Sequence, residues 1–397
     1  MIRDYISLDE AIKIGRESKK ELELEERIFE INAQYAVGKI AAEDVVSPKD
    51  YPSEDKSAVD GYALNSKFVL SASNSNPISM RIIGISTPDN PFEQELKGDE
   101  TVRVLTGGRL PRGADSVLMD EDAIIQGEYL KVIKGLRPFQ NVSFAGEDIK
   151  KGERILSRGE IISPAKLVAL METGVRNLKT FDLRIGILST GDELLSGKVK
   201  NTTQYLLIET LKRYGYSPVN LGIAADNYGD IFSKLTKEKT DVLILTGGTG
   251  PGEHDLTVEF VRSTGKILFH GIKMRPGRTT GLGIIEGTPV FMISGLPVAS
   301  LMALENVIDP LIRYWFNFQP IKDYYVKAKL NRAVVNTLGF RSYVRVRLLE
   351  NFEAEPLKVT GSGVISSIIN ADGILTVPEN VEGFPEGEEV NIKLLRC

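Results

Sequence analysis

The first regular pattern in the chain is Ser7-Leu8-Asp9-Glu10, which has the spacing of a capping box. In such a box serine and glutamate each satisfy the other's free amide, so a helix to about residue 19 is predicted. A second helix is predicted over 22–35, closed near Gly38, with a β-branched strand over 39–46. From 51 to 136 the pattern changes to short apolar runs at 80–85, 101–105, 116–119 and 129–133, separated by Gly, Pro, Asn and Asp. That rhythm predicts a β-rich domain. Beyond residue 180, apolar runs at 184–188, 218–223, 241–245 and 289–293 alternate with helical ones at 203–214, 228–237, 256–262 and 298–314. The alternation predicts a mostly parallel sheet covered by helices on both faces. After residue 324 short strands return, such as 343–349 and 374–377, with Gly361-Ser362-Gly363 and Asp372-Gly373 as turns of a small β domain.

At 397 residues the chain exceeds one ordinary hydrophobic core, so two to four domains are expected. Its 26% charged and 42% hydrophobic residues are the balance of a soluble globular protein. No apolar run approaches the roughly 20 residues that span a bilayer, and the opening residues lack an apolar signal core, so a cytoplasmic protein is expected. Cys397, the only cysteine, excludes an intramolecular disulfide framework and any multi-thiolate metal site within one chain. His254 and His270 are the only histidines, which leaves little for imidazole chemistry. With 54 acidic residues available, any metal is expected to be a hard, oxygen-bound cation, magnesium first. A net charge of −5 argues against general nucleic-acid binding, while leaving room for a local basic pocket.

In an open parallel sheet, ligands bind outside the carboxyl ends of the strands, where backbone amides and helix N-termini point. The loops there are Ser189-Thr190-Gly191-Asp192-Glu193, Ala224-Ala225-Asp226-Asn227, a run from Thr246 to Asp255 containing Gly247, Gly248 and Gly250, and Ser294-Gly295-Leu296-Pro297. The glycines let backbone approach an anion closely. Carboxylates on the same rim would repel phosphate unless a cation lay between, so Glu193, Asp226 and Asp255 are read together as groups around magnesium. Taken singly, each loop also reads as helix capping and plain turns. Arg275 and Arg278 place two fixed charges on a proline-braced turn suited to oxyanions, or simply a solvated basic turn. Asp60-Gly61 alone reads as a hairpin turn. Leu105-Thr106-Gly107-Gly108 looks like Leu245-Thr246-Gly247-Gly248, a likeness read as shared turn chemistry.

In order along the chain, these segments resemble the molybdopterin molybdotransferases, the family that includes the E domain of gephyrin. Asp55-Lys56-Ser57-Ala58-Val59-Asp60-Gly61-Tyr62-Ala63 is similar to its D-N-S-A-M-D-G-Y-A segment. Thr106-Gly107-Gly108 with Pro111, Gly113-Ala114-Asp115 and Val117 is similar to T-G-x-x-x-P-x-G-A-D-x-V. Gly146-Glu147-Asp148-Ile149, Ser189 to Leu194, the Thr246 to Asp255 loop, Arg275-Pro276-Gly277-Arg278, Gly295-Leu296-Pro297 and Gly361-Ser362-Gly363 follow in family order. The chain departs from the pattern in four places. Arg275 and Arg278 stand where the family usually has lysines, and Ser143 where an arginine often precedes G-E-D. Gly248-Thr249-Gly250 is more like the related adenylylating domain. The stretch from Gly295 to Ser300 lacks about three residues of the usual G-L-P-G-x-P-V-S.

The resemblance implies an elongated homodimer of four-domain subunits. An α/β molybdopterin-binding domain would take 1–20 and 179–318, a small α+β linking domain 21–46 and 142–178, a β-rich domain 47–141, and a C-terminal β domain 319–397. It implies a site shared between subunits, with Asp60, Thr106 and Asp148 from one and Glu193 from the other in catalytic roles. Thr190, Gly191, Asp192, Gly247, Gly248, Gly250, Arg275, Arg278, Pro297 and Ser362 would bind substrate, and Glu193, Asp226 and Asp255 would bind Mg2+. The implied reaction inserts molybdate, or tungstate, into adenylyl-molybdopterin and releases AMP, with a molybdopterin adenylyltransferase as the implied partner and neither nucleic acid nor membrane involved. Two other readings stay open: adenylylation of molybdopterin by the α/β domain, and a cofactor-binding scaffold without turnover.

Overall fold

The computed structural model describes residues 5–247, 256–357 and 363–395. Ser7 caps the first helix, Leu8–Glu17, by accepting from the Glu10 amide at 3.1 Å, which is one half of the expected capping box. The segment 22–35 corrects the sequence reading. It holds a strand, Ile28–Asn32, and a 3-10 turn, Ala33–Tyr35, because Ile28–Asn32 pairs antiparallel with Asn177–Phe181, and this long-range ladder overrides local helix propensity. The single strand expected over 39–46 is also divided, into Ile40–Ala41 and Val45–Val46, which join different sheets. A helix, Pro164–Thr173, is framed by Ser163 at its N-cap and Gly174 at its C-cap, and Leu170 on it shares a small core with Ala41, Val45, Leu156 and Ile162.

The β-rich region is a six-stranded sheet with Gly61–Leu64 between Ser116–Met119 and Glu100–Val104. Gly61 is needed there, since a Cβ would lie 1.9 Å from the Leu118 carbonyl oxygen.

The α/β sheet follows the expected rhythm. Its parallel strands are β1 (Arg184–Thr190), β2 (Ser217–Ala224), β3 (Val242–Thr246) and, later in the chain, β6 (Thr288–Ile293). Two strands without a sequence reading, β4 (Lys266–His270) and β5 (Gly281–Ile285), extend it antiparallel, giving the order β2-β1-β3-β6-β5-β4. Helices α1 (Thr202–Arg213), α2 (Tyr228–Leu235) and α3 (Leu256–Thr264) alternate with the strands. The long helix expected at 298–314 runs as Pro297–Ala303, a π turn Leu304–Ile308, and Asp309–Phe316. Its last part is pinned by a buried pair, Arg313 Nε to Asp309 Oδ1 at 2.8 Å, and Asp309 also accepts from the Tyr216 hydroxyl at 2.7 Å. Trp315 donates to the Gly15 carbonyl at 2.8 Å, tying the first helix to this core.

In the C-terminal region Arg341–Leu349, Glu353–Pro356, Tyr325–Leu330, Glu389–Leu394 and Gly373–Val377 pair in sequence around a ring, closed by the pairing of the last with the first. The barrel so formed has an apolar interior built on Val344, Val346, Leu375 and Ile392. Met274–Arg275, from the α/β part of the chain, adds a short parallel strand to it against Arg341–Ser342. Among the described residues, no helix is long and apolar enough to cross a membrane.

Candidate active site

From β1 the chain crosses to β2 on one side and then returns to β3 on the other, so a crevice opens between the carboxyl ends of β1 and β3. A cavity of about 400 Å³ lies there, with Thr190, Glu193, Gly247, Arg278, Ser294 and Leu296 on its wall. Three of the four loops read from sequence therefore line one cavity. Gly247 has φ +96°, and a Cβ on it would lie 2.3 Å from the Thr190 carbonyl oxygen, so glycine alone lets β1 and β3 close at this point. Below the floor, the Ser189 and Thr246 hydroxyls lie 2.9 Å apart, and Ser189 donates to Asn201 Oδ1 at 3.2 Å. Asn201 donates to Gln204 Oε1 at 2.8 Å, Gln204 donates to the carbonyls of Ile187 and Gly222 at 3.0 Å each, and Thr203 donates to the Gly295 carbonyl at 2.6 Å. These bonds satisfy buried polar atoms and fix three loops to the start of α1.

The carboxylates divide. Glu193 is exposed on the cavity wall and folds back over Gly191, where an added Cβ would lie 2.6 Å from Glu193 Oε1. Asp192 and Asp226 brace each other instead. The Asp192 amide donates to Asp226 Oδ2 at 3.3 Å, and the Asp226 amide to Asp192 Oδ1 at 3.2 Å. Asn227 caps α2 by accepting from the Asp230 amide at 2.9 Å, the structural role that its loop also allowed. Pro297 starts the long helix beside the cavity, where its neighbours Leu296 and Ala299 form the wall. Gly248, Gly250, Asp255 and Ser362 lie outside the described residues.

The two arginines also part. Arg278 is exposed on the cavity wall, whereas the Arg275 guanidinium sits 4.1 Å over the Phe340 ring and donates to Thr337 Oγ1 at 2.8 Å. Arg275 therefore reaches the C-terminal barrel and is not among the residues of the wall.

A second polar group forms in the β-rich region. Asp60 Oδ1 accepts from both the amide and the hydroxyl of Thr106, each at 2.7 Å, and these bonds hold its carboxyl below the usual aspartate range. Lys56–Ser57 pairs with Val142–Ser143, and Ala145 donates to Asp55 at 2.9 Å, so the segments carrying Asp60 and Asp148 lie side by side. Asp148 is exposed, its amide donating to the Tyr51 carbonyl at 3.3 Å. Glu172, then burial, then Asp148 raise the Tyr51 phenol above its ordinary value. None of Asp60, Thr106 and Asp148 lines the β1–β3 cavity of the same chain.

Three family models match in succession: the MoeA N-terminal region (domain I and II) over residues 6–174, the "Probable molybdopterin binding domain" over 186–314, and the MoeA C-terminal region (domain IV) over 327–395. A protein of Methanocaldococcus jannaschii named for molybdopterin biosynthesis is 37% identical over 100% of both chains. The chain belongs to the MoeA family. The crystal structure of a molybdopterin biosynthesis moeA protein from Pyrococcus horikoshii OT3 superposes with a TM-score of 0.82 at 29% identity, covering 99% of this chain and 100% of that one. A molybdopterin molybdenumtransferase of Haemophilus influenzae is 28% identical over 91% of this chain and 93% of its own. The multidomain MoeA fold expected from the motifs is the fold found.

Within this MoeA chain, no group of three or more His, Cys, Asp or Glu among the described residues is placed to hold a metal. Magnesium does not require such a cage, since one or two carboxylates with substrate phosphates and water suffice. Glu193, an exposed carboxylate lining the same cavity as Arg278, fits that mode. Sequence reasoning passed over Lys200, Asn201 and Thr203, which also line the cavity. The available signal was position: they flank the start of α1, the helix that leads from β1 to β2, and in this MoeA sheet a helix N-terminus faces the ligand edge.

Proposed function

We propose that this protein is a molybdopterin molybdotransferase, which inserts molybdate, or tungstate, into adenylyl-molybdopterin and releases AMP. The observation that carries the reading is the cavity at the β1–β3 crossing in a MoeA chain, with Arg278 for anionic oxygens and Glu193 on the same wall. The Haemophilus influenzae relative named molybdopterin molybdenumtransferase, and the M. jannaschii protein named for molybdopterin biosynthesis, support it. Backbone at Gly247 admits a phosphate closely, Thr190 and Ser294 offer hydroxyl donors, and Arg278 offsets the charge of the leaving AMP phosphate. Glu193 would hold Mg2+ together with water and substrate phosphate oxygens, the ion supplying positive charge beside the phosphoanhydride when bound; of the further ligands read from sequence, Asp226 is not among the residues of the wall, and Asp255 lies outside the described residues.

Asp60, Thr106 and Asp148 belong to no wall of this cavity, so the reading assigns them to the site of a second subunit in a homodimer with shared centres. The four-domain division given above is part of the same proposal, as is delivery of substrate by a molybdopterin adenylyltransferase. The test supplies adenylyl-molybdopterin, Mg2+ and either molybdate or tungstate to the purified protein and follows AMP. Oxyanion-dependent AMP release is the expected result. Release of pyrophosphate from ATP and molybdopterin, with no response to either oxyanion, would replace this reading with the adenylylating one.

A further inference from the structure

The sequence pairs Arg275 with Arg278 as two charges on one turn, yet in the fold only Arg278 faces the cavity. Arg275 is committed elsewhere: its backbone extends the C-terminal barrel, and its guanidinium is held by the Phe340 ring at 4.1 Å and by Thr337 at 2.8 Å. A cavity that receives anionic oxygen on a wall bearing the Glu193 carboxylate is poorly balanced by one arginine. Lys200 supplies a second charge. It lines the same cavity, and among the described residues neither Lys200 nor Arg278 is tied up in an ion pair.

The backbone around Lys200 is fixed on both sides. The Val199 amide donates to the Glu193 carbonyl at 3.1 Å, so the turn after Glu193 is closed back on itself. The Asn201 side chain is tied to Ser189 and Gln204, and the Thr202 amide donates to the Lys200 carbonyl at 2.9 Å. Lys200 thus leaves a braced corner immediately before α1, a helix of 12 residues whose N-cap residue makes no side-chain capping bond. The positive end of that helix and the ammonium act on the same side of the cavity. We infer that Lys200, together with Arg278, binds a tetrahedral oxyanion in this cavity, taking the place that the sequence gives to Arg275.

The inference deepens the function proposed above and rests on that reading for the nature of the anion, which is a phosphate of the adenylylated pterin or the metalate. Calorimetric titration of the full-length protein at low salt with AMP, inorganic phosphate and sodium molybdate separates these sources. Lys200→Met is expected to weaken at least one of the three by about tenfold or more, the effect of removing a charge-assisted hydrogen bond. Lys200→Arg is expected to stay within about threefold of wild type. The control Lys198→Met, which changes an exposed lysine of the same turn off the cavity wall, should stay within about twofold. Loss confined to AMP and phosphate identifies a phosphate subsite, and loss confined to molybdate a metalate subsite; either supports the inference. Wild-type affinity for all three anions in a Lys200→Met protein with unchanged Tm would overturn it, as would absence of any anion binding by the wild type. The two proposals fail separately. Lys200-dependent binding in a protein that releases no AMP would remove the function and leave the anion site, while AMP release with unaltered KM in Lys200→Met would do the reverse.

Discussion

Asp60 shows how far a single residue's chemistry can be followed from its neighbours. Its carboxylate accepts first from the Thr106 amide and then from the Thr106 hydroxyl, and both bonds favour the charged form. The folded value is therefore depressed. The associated stability is fully present above the ordinary aspartate value of about 3.9, and it is lost as pH falls through the lowered folded value. Thr106→Val removes only the hydroxyl bond, so the Asp60 titration midpoint should rise part of the way to that ordinary value when followed by carboxyl-carbon NMR. An unmoved midpoint would show that the hydroxyl bond does not act on Asp60. From sequence alone Asp60-Gly61 was a turn, and only the motif resemblance singled it out. The reason is physical: Asp60 and Thr106 lie 46 positions apart, and nothing local encodes their meeting.

At the scale of elements, three parallel strands of the α/β sheet, β1, β3 and β6, were legible because each is a nearly continuous buried run between turn residues, while β2, partly exposed along its length, was legible from its apolar residues and its place in the alternation. The antiparallel strands β4 and β5 were not, since Gly271, Gly281 and Gly283 break the apolar pattern around them. The segment 22–35 was misread because its mixed polar and apolar residues fit a helix locally, while the ladder with Asn177–Phe181 decides its form. The long helix after β6 was legible in extent, but its π turn and buried charges were not. There Arg313 is enclosed, bonding Asp309 at 2.8 Å, the Gln319 carbonyl at 2.8 Å and the Tyr214 carbonyl at 3.0 Å. Asp309→Ala leaves a buried guanidinium without its counter-charge and the Tyr216 hydroxyl without its acceptor. A loss of about 3–5 kcal/mol is expected in denaturant titration. A loss below about 1 kcal/mol would mean that water reaches this site and screens the arginine.

For the molecule as a whole, the composition leaves carboxylates, hydroxyls and cations as the main chemistry, and the cavity among the described residues is lined by Glu193, Thr190, Thr203, Ser294, Lys200 and Arg278 beside apolar Leu194, Val199, Leu296 and Ala299. The alternation of strands and helices also marks the cavity edge, at the carboxyl ends of β1 and β3, without reference to any side chain. It had no means of linking that edge to Asp60, Thr106 and Asp148, which stand on other elements and outside the cavity of their own chain. The proposed account joins the two groups across a dimer, a claim that concerns assembly and so needs two differently damaged chains. Glu193→Ala damages the cavity, and Asp60→Ala damages the β-rich group. The decisive measurement is oxyanion-dependent AMP release by purified mixed dimers of Asp60→Ala and Glu193→Ala subunits. Each variant alone should be inactive, and the mixed dimers should recover a substantial part of wild-type turnover, since one of their two centres is intact. Mixed dimers as inactive as their parents would contradict a site shared between subunits.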